Sequence, residues 1–398
     1  MEALNFKNLL NAHSHFAFGG WISLTLAVLL THEILPAATS ERPVYQWLFG
    51  TFLFTASGML FSFPFLGYTF LPILFSTLFI VCTYLFTWVF IKDLIQAKAT
   101  KAVAILSVSA LLCLVLSSAG PFALAYVLAS HSANALFYKD SIYTYLHFQY
   151  NGFFSLAVFA LFIQRFGDNA NQSIKRNSER FAGILALSVL PTLFLSYLWH
   201  YPNFVIRILA IVGCAFIVFC VVRFCVLLRS LQKNLNTLPF PVKLIGFLSF
   251  LAFILKSILQ CGVAVPSIGE IVFANRPIII GYLHLVLLGF ISLYLLAHLS
   301  SREFLDVKSR LTRISLYLFL SAVIGNELVL MTQGICAMLL VGSSKFQWML
   351  WYAAICLLIA SGMIFVSRIK LLRVPSKKQR MLPSEQPVHG LAIPVHLQ

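Results

Sequence analysis

Apolar residues in this chain come in long runs, each closed by charged residues or by Pro and Gly, and the runs follow one another from end to end. A helix needs about 20 residues at 1.5 Å per residue to cross roughly 30 Å of hydrocarbon, and unbroken apolarity over that length marks a membrane span rather than a soluble core. The pattern predicts eleven spanning helices, at about 12–31, 45–62, 66–91, 102–128, 142–163, 181–199, 204–228, 244–263, 277–299, 314–331 and 346–366. The expected fold class is all-α: a polytopic membrane bundle over residues 1–373 and a polar tail over 374–398, where Pro375, Lys377, Lys378, Pro383 and Pro387 predict disorder. The first run lies close to Met1 and no small-residue cleavage site follows it, so a retained span rather than a signal peptide is expected. The hydropathy pattern predicts neither a soluble domain nor an internal repeat.

Composition agrees and narrows the function. Of the 398 residues 60% are hydrophobic and only 10% charged, with a mean hydropathy of +0.91, whereas a soluble domain carries about 25% charge. A soluble enzyme is excluded. The excess of 28 Lys and Arg over 12 Asp and Glu, a net +16, would fit a nucleic-acid partner in a soluble protein. Here it follows topology. One set of connections, with the C-terminal tail, holds 22 of the 28 basic residues, the opposite set holds Lys7, Lys139, Arg207, Arg276 and Lys345, and Lys256 lies within a helix. Basic residues stay in the cytoplasm, so the N-terminus is expected outside and the C-terminus inside, with lipid as the immediate partner and no nucleic acid. The eight cysteines include no Cys-x-x-Cys and no Cys-x-x-Cys-His, so they read as packing residues and offer no covalent haem attachment.

That topology sorts the ten histidines. His13 and His15 open the first helix on the outer side, His131 lies in an outer loop and His200 closes the sixth helix. His147 enters the fifth helix to a depth of roughly 8 Å and His284 the ninth to roughly 10 Å. Only His32 and His298 lie at inner ends; His389 and His396 are in the tail. Ionisable groups within a membrane are costly and face functional interiors, and imidazole is the commonest metal ligand. Each histidine alone would serve equally as an interhelical hydrogen-bonding group; convergence of several helices at one depth favours ligation. His13 and His15 point about 200° apart on a helix and cannot chelate one ion together. One ligates while the other hydrogen-bonds behind it or serves another centre. Gly19 and Gly20 would give a flat ligand, or a neighbouring helix, room beside the first helix.

At these residues the chain resembles a shortened catalytic subunit of the haem-copper oxidase and nitric oxide reductase superfamily, and is similar to bacterial haem-copper membrane proteins of the nitric oxide response. The runs that carry the resemblance are Ala12-His13-Ser14-His15 with Gly20-Trp21, His147-Phe148-Gln149-Tyr150-Asn151-Gly152, Trp199-His200-Tyr201-Pro202 and Tyr282-Leu283-His284-Leu285. That family has twelve helices with both termini cytoplasmic, a haem-ligand histidine on its second helix, metal-ligand histidines on its sixth and seventh, and a His-x-His on its tenth. Without its first helix eleven remain, with the N-terminus outside.

The resemblance implies a non-covalent b-type haem between the first and ninth helices, with His284 and one of His13 and His15 axial, the deeper His15 favoured. It implies a second metal, copper or non-haem iron, at His147 and His200, completed by His131, Tyr201 or water. Departures are plain: His200 stands without a pair, position 286 is Val286 where a second histidine belongs, and Gln149 stands where the family has an acid. These residues support one haem and a degenerate second site. The implied function is electron transfer or another respiratory or nitric-oxide-related oxidoreductase role in a bacterial inner membrane, beside an electron donor or respiratory subunit.

Three further readings complete the set. Arg207 and Arg276 would meet haem carboxylates or anchor the interface. Lys256 and Glu327 reach similar depth, which permits an ion pair, a protonated Glu327 bonded to Asn326 or Gln260, or a proton relay. A cofactor-free transporter, with Pro191 and Gly213 as its helix breaks, and a non-catalytic subunit of a respiratory complex are the competing functions.

Overall fold

The structure, a computed structural model, describes residues 5–130, 133–167, 171–198, 201 and 203–373. Among them there is no strand, and eleven helices are long and apolar enough to cross a membrane. They are α1 (Phe6–Ile34), α2 (Pro43–Leu66), α3 (Phe70–Gln96), α4 (Lys101–Ala129), α5 (Ala135–Gly167), α6 (Gln172–Tyr197), α7 (Phe204–Asn236), α8 (Phe240–Gly262), α9 (Arg276–Ser301), α10 (Arg310–Met338) and α11 (Lys345–Leu371). The expected tail over 374–398, with His389 and His396, lies outside the described residues.

Most helices run past the apolar stretch that announced them, because polar caps extend their ends. Asn134, Asn171 and Asn203 accept hydrogen bonds from the backbone N–H groups of Phe137, Ile174 and Ile206 at 3.0, 3.0 and 2.9 Å, starting α5, α6 and α7. The α2/α3 boundary lies four residues later than hydropathy places it. Pro64 sits inside the last turn of α2, and the chain turns at Gly67, whose φ of +60° is a backbone region that suits glycine.

The centre is formed by α1, α5 and α9, which run in the same direction. Near their starts Phe18 meets Tyr145 and Tyr150 meets Tyr282; near their ends Glu33 pairs with Arg302, and Arg165 donates to the Ser301 carbonyl at 3.2 Å. In α5, 89% of the apolar segment is buried, against 6% in the peripheral α11. Around this trio α4 lies along α5 and α8 along α9, while α2 and α3, α6 and α7, and α10 and α11 form pairs. Much of the aromatic content fills the core: the Phe159 ring lies 4.8–6.0 Å from those of Phe181, Phe224, Phe250, Phe253 and Phe290. In lipid such burial brings no hydrophobic gain, so close packing and a few polar contacts must hold the helices together.

One close approach has a measurable consequence. A Cβ on Gly120 of α4 would stand 2.4 Å from the Ser141 carbonyl of α5, whereas one on Gly183 of α6 would meet nothing within 4 Å. Gly120→Ala is expected to destabilise the detergent-solubilised protein by about 1–3 kcal/mol, with Gly183→Ala near neutral, read from thermal unfolding.

Candidate functional site

Each of the three central helices changes form directly after a histidine. Phe16–Ser23 follows His15, Phe148–Phe154 follows His147 and Leu285–Ser292 follows His284, and all three segments are π-helical. Such insertions are uncommon and concentrate at functional sites. One additional residue swings everything after it by about 100°, and the wider turn is bonded differently: the Ser155 and Ser292 hydroxyls donate to carbonyls five residues back, Tyr150 and Leu287, at 2.6 and 2.8 Å.

These segments reveal a repeat that hydropathy conceals. His15, Gly20, Ser23 and Leu24 correspond position by position to His147, Gly152, Ser155 and Leu156, and to His284, Gly289, Ser292 and Leu293. The expectation of no internal repeat is therefore corrected. The signal was present in the sequence, in the alignment of the histidine-bearing helices on one another, but a hydropathy profile weights every apolar residue alike.

The repeat carries the packing. Two positions before the histidine stand His13, Tyr145 and Tyr282; three positions after it stand Phe18, Tyr150 and Leu287. Tyr145 of α5 meets Phe18 of α1 with ring centroids 5.8 Å apart, and Tyr282 of α9 meets Tyr150 of α5 at the same 5.8 Å. At the third seam, between α9 and α1, the corresponding residues are Leu287 and His13, so no aromatic pair closes it. Here His13 and His284 are electrostatic neighbours. Below them the Trp21 indole donates to Ser292 Oγ at 3.0 Å, tying two π segments together. His13 and Trp21 are exposed and His284 half-buried.

The histidines differ in what their nitrogens can offer. His284 Nδ1 donates to the Ile280 carbonyl at 2.9 Å, which leaves the Nε2 lone pair for a ligand; this is the arrangement typical of metal-bound histidine. His147 is committed: Nε2 donates to the Val189 carbonyl at 2.8 Å and Nδ1 accepts from Asn151 Nδ2 at 3.2 Å. His15 turns away from α9 and stacks on Phe63 of α2, ring centroids 4.6 Å apart and 9° from parallel, with Tyr68 at its edge. Sequence favoured His15 on depth alone; in the fold His15 packs toward α2, and His13 is the α1 histidine whose electrostatics His284 influences.

The remaining expected residues fall as follows. Arg276 begins α9, about 12 Å along the helix from His284, and is exposed. Arg207 begins α7, which packs on α6, α8 and α5 rather than at the α1/α9 seam. His131 and His200 lie outside the described residues, and no group of three or more metal-ligating side chains occurs among those that are described. Gly19 and Gly20 do not open space beside α9. A Cβ on Gly19 would meet Phe79 of α3 at 3.0 Å, and one on Gly20 would meet the ring of Phe16 at 2.6 Å.

The Lys256/Glu327 pairing is also corrected. Lys256 Nζ donates to Asn151 Oδ1 at 2.6 Å, while Glu327 accepts from its neighbour Asn326 at 3.2 Å. Similar depth fixed neither azimuth: Lys256 lies on the side of α8 toward α5, α6 and α7, whereas α10, which packs mainly on α11 and α9, meets α8 only in small part. Lys256 borders a small, mostly apolar cavity of about 20 Å³ into which Asn151, Ser188 and Thr192 also bring polar groups, enough for about one water. Asn151 thus links His147 to Lys256, a connection between helices that no spacing along the chain announces. Comparison of the sequence with protein-family models and with curated proteins finds no match.

Proposed function

We propose that this chain is a haem-binding redox protein of the membrane, holding one haem at the α1/α9 seam through His284 and His13. The observation that carries the reading is the broken repeat: of three equivalent seams, the one without an aromatic closure has imidazoles on both sides, and one of them keeps its Nε2 lone pair free. The chemistry of the donors fits a haem, since neutral imidazoles of His13 and His284, on facing helices, would hold its iron. The haem is non-covalent, because the cysteine pattern offers no attachment. Its iron would supply one-electron oxidation and reduction.

The protein's own residues hold and tune that centre. Ile280 fixes the tautomer and orientation of His284 through its carbonyl. Trp21 and Ser292 pin the helices below the seam, and Arg276 is the nearest candidate partner for carboxylate groups at the mouth. Held by two imidazoles, the iron would favour electron transfer over gas binding. On this reading the protein works beside an electron donor or respiratory subunit in a bacterial inner membrane, its N-terminus and the seam facing outward.

The absorption spectrum of the purified protein tests this, with a Soret band and about one haem per chain expected. A colourless protein under haem-replete expression would overturn it and favour the transporter reading. Orientation is tested separately by reporter fusions, which are expected to place the segment near Asn169 and the C-terminus inside, and that near Tyr138 outside.

A further inference from the structure

The eight cysteines are free thiols, and the sequence assigns them only to packing. Two of them face each other. Cys214 of α7 and Cys261 at the end of α8 contact reciprocally: each sulfur reaches the other residue's carbonyl oxygen at 3.9 Å. Both are half-buried rather than sealed in the core. A disulfide needs its Cβ atoms about 3.5–4.5 Å apart, and two helices whose cysteines each reach the other's backbone carbonyl bring this pair within range of that requirement without a change of partner. Cys82, Cys113 and Cys220 are buried in the core.

We infer that Cys214 and Cys261 are a redox-responsive pair that closes to a disulfide. Oxidation joins the two sulfurs and releases two protons and two electrons, which a low-molecular-weight disulfide accepts. One thiolate attacks that reagent and expels the first thiol; the second thiolate then attacks the mixed disulfide and expels the other. The bond clamps α7 to the end of α8, from which the chain passes through the short helix Pro266–Ala274 into α9 and His284. Cys261 closes α8 at the same face of the bundle where α9 begins. On the orientation proposed above that face is the oxidising side of the membrane, where disulfides persist; this clause alone rests on that reading.

The test uses the full-length purified protein and 4,4′-dithiodipyridine, a small apolar disulfide. Peptide mapping by mass spectrometry is expected to show a Cys214–Cys261 cross-link, two thiopyridones released for each link, and reversal by dithiothreitol. Oxidation should raise the thermal unfolding temperature of the wild type and leave that of Cys261→Ser unchanged. A separate pyridylthio adduct on each cysteine, or two thiols that still alkylate after oxidation, would overturn the inference whatever the fate of the haem reading. If Cys261→Ser does not accumulate, Cys214→Ser provides the same control.

Discussion

His284→Ala is expected to abolish haem binding, and His15→Ala to leave it intact. The first substitution removes the imidazole whose Nδ1–H is held by the Ile280 carbonyl and whose Nε2 is therefore presented to a ligand. The second removes a ring stacked on Phe63, away from the seam. His13→Ala should separate the two axial roles: haem is retained in reduced amount through His284, and the iron gains an open position, so the reduced spectrum turns high-spin and responds to carbon monoxide. Haem content and reduced spectra of the three variants decide the matter. Full occupancy and an unchanged spectrum in both His284→Ala and His13→Ala would remove the site, while loss in His15→Ala alone would restore the ligand that depth favoured. Because Phe63 packs the His15 ring, His15→Phe provides a control that keeps the stack.

The second large effect is expected at the opposite end of the central helices. Glu33, its side chain buried, accepts from Arg302 and lies 3.3 Å from His298 Nε2, while His298 Nδ1 receives the Tyr294 hydroxyl at 3.3 Å. Glu33 and Arg302 occupy the same position of the repeat, eighteen residues after His15 and His284, and Arg165 is the corresponding residue of α5. Removing one partner of a buried pair costs about 3–5 kcal/mol, because the other charge is stranded. With the Arg302 side chain 31% exposed, the loss for Glu33→Gln is expected near the lower bound, about 3 kcal/mol. Glu33→Gln with Arg302→Met should lose less than the sum of the single changes. Thermal unfolding of the four proteins in detergent closes the cycle; strict additivity would show that the groups do not act as a pair.

Number and approximate position of the helices, and the all-helical class, were legible in the sequence for a definite reason. Lipid imposes the same requirement on every span, so roughly 20 apolar residues announce a helix wherever they occur. The same runs, with the charge asymmetry of the connections, set His13 and His284 at one expected level before any contact was known. The repeat was written in the sequence too, in His15, His147 and His284 with their glycines and serines, but its meaning depends on π segments that no hydropathy scale registers.

What the tertiary structure decided is azimuth. Helices in a bilayer gain nothing by turning one apolar face rather than another inward, so which side of α1 meets α9 is settled by shape and by a handful of polar contacts. That is why His15 went to Phe63 and left His13 at the seam, why Lys256 found Asn151 instead of Glu327, and why Cys214 and Cys261, far apart in the chain, came into contact. The sequence determined the order of the spans and where along its helix each of these groups lies; only the packed bundle determined which of them face one another.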